Sequence, residues 1–95
     1  MFDVSLLSDQ SEGGLRKASF RTCDAVCSRQ IDIELEGDTV RSVRYTGGCH
    51  GNTQGITALV RGMKKDEVIA RLSGIDCKGR GTSCPDQLAR ALKLL

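Results

Sequence analysis

From Ile31 to Glu36 the chain alternates strictly, with Ile31, Ile33 and Leu35 separated by Asp32, Glu34 and Glu36. A period of two puts the aliphatic side chains on one face and the carboxylates on the other, which is the pattern of a half-buried strand. Gly37-Asp38 follows where a tight turn is expected, and Thr39 to Tyr45 returns as an antiparallel partner. The return strand carries a defect: Val43 and Tyr45 share a parity that Val40 does not. An extra residue near Arg41-Ser42 would bring all three to the core face, so a bulge is expected there. Ala18 to Thr22 reads as a further strand.

The rest of the chain reads as helix. Ile56, Leu59, Val60 and Met63 recur at i, i+3, i+4 and i+7, with Asn52 as the expected N-cap. Lys65 to Ser73 gives a second, short helix with Val68, Ile69 and Leu72 inward and Gly74 closing it. The strongest local signal is Ser83-Cys84-Pro85-Asp86, in which a capping serine is followed by proline in the first turn and a carboxylate three residues after the cap. Leu88, Ala91, Leu92 and Leu95 then form one stripe. The expected fold is α+β, a small antiparallel hairpin-centred sheet packed against three helices. Residues 1–16 show no sustained period and read as a flexible lead, with residues 17–95 forming the domain.

With 95 residues, two Phe, one Tyr and no Trp, the core must rest on Ile, Leu, Val and Met, and so small a domain gains from a staple. Five cysteines are the candidates. The apolar piece Val4 to Leu7 is too short for a signal-peptide core, and no run approaches the roughly 20 apolar residues that span a bilayer. The chain therefore reads as cytoplasmic, off the membrane, with reduced thiols. A net charge of +2 is too balanced to imply nucleic acid as a partner. Exposed edges of a short sheet favour a homodimer.

Cys49, Cys77 and Cys84 all fall at the ends of expected elements, among glycines that permit close backbone approach. Apolar core positions would fall on helix and strand stripes instead. The spacing is not the paired CxxC of a zinc ribbon. Cys84 opens a helix, where the positive end of the dipole favours thiolate, so it reads as a ligand or a nucleophile.

The string Thr82-Ser83-Cys84-Pro85-Asp86-Gln87-Leu88, together with Gly47-Gly48-Cys49-His50-Gly51-Asn52, resembles the TSCPD domain family, and the likeness runs from about Phe20 to Leu92. Members of that family occur as short stand-alone proteins and as appendages of cobalamin-dependent ribonucleotide reductases. The resemblance implies a cysteine-based metal site in which the family's cysteines correspond to Cys27, Cys49, Cys77 and Cys84, while Cys23 is incidental. It also makes a ribonucleotide reductase the implied partner. A more distant likeness to U-type iron–sulfur scaffold proteins lies in the order of elements.

Zinc suits a set of thiolates, four or three with His50 or water, and is the first expectation for the metal; an iron–sulfur cluster is the alternative. A lone histidine in a glycine loop is more often an exposed polar residue, so His50 stays secondary. The expected function is a metal-binding accessory module. Two other classes stay open: thiol redox or sulfur transfer, with Cys84 attacking, and binding of a nucleotide or flavin phosphate by Gly47, Gly48, Gly51 and Asn52 ahead of a helix. Neither a GxGxxG nor a P-loop lysine accompanies that loop. No Ser-His-Asp set or HExxH occurs, and Asp76 and Asp86 read as turn and cap residues, so nothing completes a catalytic constellation.

Overall fold

The computed structural model describes residues 4–23, 28–47, 50–76, 79 and 81–95, with backbone alone for residues 28 and 50–52. The fold is α+β. Strands β1 (Ser5–Glu12), β2 (Leu15–Arg21), β3 (Ser28–Glu36) and β4 (Thr39–Gly47) form one antiparallel sheet in chain order. Helices α1 (His50–Val60), α2 (Lys65–Leu72) and α3 (Cys84–Lys93) follow. Among the described residues no helix is long and apolar enough to cross a membrane.

The alternation in β3 does what its period requires. Ile31, Ile33 and Leu35 are buried together with Ala18 and Phe20 of β2 and Val40 and Val43 of β4. Val60, Val68, Leu88, Ala91 and Leu92 of the helices meet that face. The opposite face holds Asp32, which accepts from Ser19 Oγ at 2.6 Å and Gln30 Nε2 at 2.8 Å, and Glu34, which accepts from Ser42 Oγ at 3.0 Å.

The expected bulge is present. Glu34 pairs with Ser42 and the next residue, Leu35, pairs with Val40, which leaves Arg41 as the extra residue of β4. Val40 and Val43 are thereby both buried, at 0 % and 8 % exposed, and Tyr45 packs against the same core. The Gly37-Asp38 turn joins Glu36 to its partner Thr39, with Gly37 at φ +60°, a backbone angle that favours glycine.

Three readings of the sequence are corrected. Residues 5–12 form strand β1, paired to β2 through Gly13-Gly14, whose positive φ of 59° and 83° is what a two-residue hairpin turn needs. All eight residues of β1 are exposed, so no apolar period marked it. Helix α1 begins at His50, so Asn52 lies inside its first turn and is not its N-cap. Ile56 and Val60 of that helix are buried but Leu59 is 76 % exposed, and Met63 reaches the core from beyond the helix, past the turn at Gly62.

That turn also covers the start of one edge of the sheet. Val40 N–H donates to the Met63 carbonyl at 2.8 Å, Gly62 N–H donates to the Val40 carbonyl at 2.8 Å, and Lys65 N–H donates to the Asp38 carbonyl at 2.6 Å. Thr39 and Lys64 complete the strip as an isolated bridge.

Candidate functional site

The N-terminal end of α3 gathers several segments of the chain. Ser83 is its N-cap in extended conformation, and Ser83 Oγ accepts from Asp86 N–H at 3.1 Å. The same hydroxyl donates to the Ile75 carbonyl at 2.6 Å, so the cap also holds the chain that leaves α2. Cys84 and Pro85 open the helix, and residues 82–89 are all buried. Proline fits because the first-turn N–H it lacks would have no helical partner.

Asp86 is 3 % exposed and is surrounded by donors. Its carboxylate accepts from Gly74 N–H at 2.7 Å, Thr82 Oγ1 at 2.5 Å and Arg90 Nε at 2.8 Å. Burial on its own would raise the carboxyl, but these hydrogen bonds and the Arg90 charge outweigh it and hold the group below the ordinary carboxylate range. Gln87 is fully buried and bridges in two directions: Nε2 donates to Thr82 Oγ1 at 3.1 Å, and Oε1 accepts from the backbone N–H of Cys23 at 2.9 Å. Thus the end of β2 is tied to the first turn of α3.

A second strand arrives through Tyr45, whose hydroxyl donates to the Cys84 carbonyl at 2.9 Å. Burial, with the negative charge of a Cys84 thiolate acting in the same direction, pushes the tyrosine hydroxyl far above its ordinary range, so it stays a donor. Beyond Ile75, Asp76 accepts from Gly79 N–H at 2.6 Å and from Gly81 N–H. Gly79 and Gly81 both have positive φ, 78° and 90°, a conformation that favours glycine. Asp76 therefore acts as a turn residue and Asp86 as a first-turn clamp.

Of the residues singled out from the sequence, Cys84 lies in this setting, 8 % exposed, and Cys27, Cys49 and Cys77 lie outside the described residues. The described residues that flank them can be placed. Ser28, next to Cys27, is the cross-strand partner of Gly47, two residues before Cys49. Asp76, next to Cys77, follows the Ile75 carbonyl held by Ser83. Among the described residues no group of three or more His, Cys, Asp or Glu forms a metal-binding set. Of the glycine loop, Gly47 ends β4 at φ +78°, Gly51 and Asn52 have helical backbone in α1, and Gly48 lies outside the described residues.

The TSCPD domain matches this chain over residues 9–95. The chain belongs to that family. The comparison with curated proteins and that with solved structures each returned no match. The five letters that give the TSCPD family its name have distinct physical uses in this chain. Thr82, Ser83 and Asp86 form the clamp and cap, and Pro85 fits the first turn. Cys84 contributes a sulfur at the end where the segments meet.

Two residues of this TSCPD site were missed in the sequence. Gln87 stands four positions before Ala91 on the buried stripe, and a polar residue on an apolar stripe is a signal that it has fixed partners. Cys23 reads as incidental in the sequence, yet its backbone is anchored to α3. Nothing local in the sequence marks that contact.

Proposed function

We propose that this chain is a small metal-binding accessory module in which Cys27, Cys49, Cys77 and Cys84 hold one zinc ion. The observation that supports this is the convergence of their flanking segments. Ser28 pairs with Gly47, Tyr45 of the same strand reaches Cys84, and Ser83 holds Ile75. Two segments distant in the sequence, β4 through Tyr45 and the chain after α2 through Ile75, are tied to the first turn of α3 that carries Cys84, and Ser28 joins the start of β3 to β4.

The donor chemistry suits the metal. Zinc with four thiolates carries a net negative charge, and the positive end of α3 favours an anionic group at Cys84. The nearby Asp86 charge is matched by Arg90, and Tyr45 remains neutral, so neither opposes it. When bound, a closed four-thiolate zinc supplies folding free energy to a domain of limited core. An iron–sulfur cluster is the alternative on the same ligands, and a ribonucleotide reductase enters as partner through the family resemblance.

Cys84 also motivates a second reading, thiol redox or sulfur transfer, since a cysteine in the first turn of a helix is placed for nucleophilic use. Elemental analysis of protein purified and kept under reducing conditions separates the two. Zinc near one per chain supports the module. Iron with visible absorbance supports the cluster. A protein that takes up neither metal, and whose Cys84 is alkylated much faster than its other thiols, overturns the metal reading in favour of thiol chemistry.

A further inference from the structure

The two edges of the sheet are treated differently. The start of the β4 edge is covered by the chain at 62–65, through hydrogen bonds that occupy Val40 on both its N–H and its carbonyl. Strand β1 forms the other edge, and among the described residues no backbone hydrogen bond joins it to anything but β2. All eight of its residues are exposed, including Leu6 at 53 % and Leu7 at 52 %. Protein edges are ordinarily defended by lysine, proline or a covering segment, and Ser5-Leu6-Leu7-Ser8 has neither residue type and no charge.

We propose that β1 pairs antiparallel with β1 of a second copy of this chain, joining two four-stranded sheets across a two-fold axis. The charge pattern of the strand selects the partner and the register. Setting Leu6 opposite the second copy's Leu7 places Ser5 opposite its Ser8 and keeps Asp9 and Glu12 outside the paired stretch. A register centred on Asp9 would set two carboxylates face to face, which is unfavourable. Asp9 is in any case neutralised within its own chain by Arg16, at 2.9 and 2.5 Å. A neutral, self-complementary stretch with paired leucines is what an isologous contact requires. Leu7 is an extra residue of β1 relative to β2, and this irregularity limits the regular stretch. The association is therefore weak and concentration-dependent.

The test is sedimentation of the whole chain from micromolar to millimolar concentration, beside Leu7→Asp and Leu6→Asp. The native chain is expected to shift from monomer to dimer, and each variant to self-associate about tenfold more weakly or less, since a desolvated charge on a pairing edge opposes addition of a strand. Both side chains are exposed, so the far-UV spectrum and melting temperature should change little. Amide exchange supplies an independent reading: Leu6 to Ser8 should slow as concentration rises while Val40 does not. A native chain that stays monomeric at millimolar concentration overturns the proposal. So does a dimer that survives both substitutions, or one whose protection appears away from β1.

Discussion

The carboxylate of Asp86, in the first turn of α3, accepts the backbone N–H of Gly74, the residue that ends the turn after α2, at 2.7 Å. This bond ties the end of α2 to the first turn of α3. Ser73, the C-cap of α2, has left the helical backbone at ψ 134°, which turns the Gly74 N–H away from α2 and leaves it in need of an acceptor outside that helix. The carboxylate that answers it also takes Thr82 and Arg90, so one side chain fixes the loop at both ends.

Replacing Asp86 by Ala should accordingly cost about 2 to 4 kcal/mol, because it strands a backbone donor, a hydroxyl and a guanidinium around a buried position. Asp86→Asn keeps one carbonyl acceptor and should cost less. Urea unfolding of the two variants beside the native chain measures both, and equal stability of all three would show that the clamp carries no weight.

Asp9 offers a pH test away from that site. The hydrogen bonds from Arg16 hold its carboxyl below the ordinary range, against a small opposing effect of burial. A carboxyl lowered in the folded state stabilises above its unfolded value, near 4, and loses that contribution as the pH falls through the folded value. The carboxyl carbon resonance of Asp9, followed by NMR from neutral to acid, should titrate lower than a free aspartate and return to the ordinary range in Arg16→Gln. An unchanged midpoint in that variant would remove Arg16 as the cause.

Gln87→Leu keeps the volume and removes both bridges, leaving the Cys23 N–H without its acceptor. A loss of about 1 to 3 kcal/mol is expected, with faster amide exchange at Cys23 and Thr22 as its local mark. A variant as stable as the native chain, with exchange at the end of β2 unaltered, would show that another group meets that N–H.

Cys84→Ser should abolish stoichiometric metal binding while Cys23→Ser retains it. Serine caps and packs much as cysteine does at this position, so melting behaviour cannot decide the matter; metal per folded chain can. Equal retention in both variants takes Cys84 out of the site. Loss in Cys23→Ser instead would mean that the cysteine anchored by Gln87 serves as a ligand and that the correspondence drawn at Cys27 is misplaced.

The central hairpin was legible because period two is a strong signal over β3, and the parity break at Val40 marks the bulge in the sequence itself. The start of α3 was legible for a local reason too, since Ser83, Pro85 and Asp86 act on neighbouring backbone. Strand β1 was not, because a strand exposed on both faces has no apolar period; only Gly13-Gly14 signalled its turn. Leu59 misled in the opposite way: it sits at helical spacing from Ile56 yet points outward, since spacing sets the direction of a stripe and packing sets its width. At the site, Cys84 was foreseen in its helical position. The parts played by Tyr45 and Gln87 depend on contacts 39 and 64 residues apart in the chain, and although Gln87 stands out on its apolar stripe, no local pattern names its partner or that of Tyr45.

The strip of chain over β4 has a consequence for assembly. A sheet with two open edges can add copies without limit, whereas one sealed on one side behaves like a monomer unit with a single reactive end. With both backbone groups of Val40 spent on Gly62 and Met63, a further copy finds the start of β4 already taken and has a shorter stretch on which to propagate growth. Loosening the turn at Gly62, where φ is +86°, would free that stretch too, and any copies paired at β1 would gain a longer edge on which to grow toward fibres.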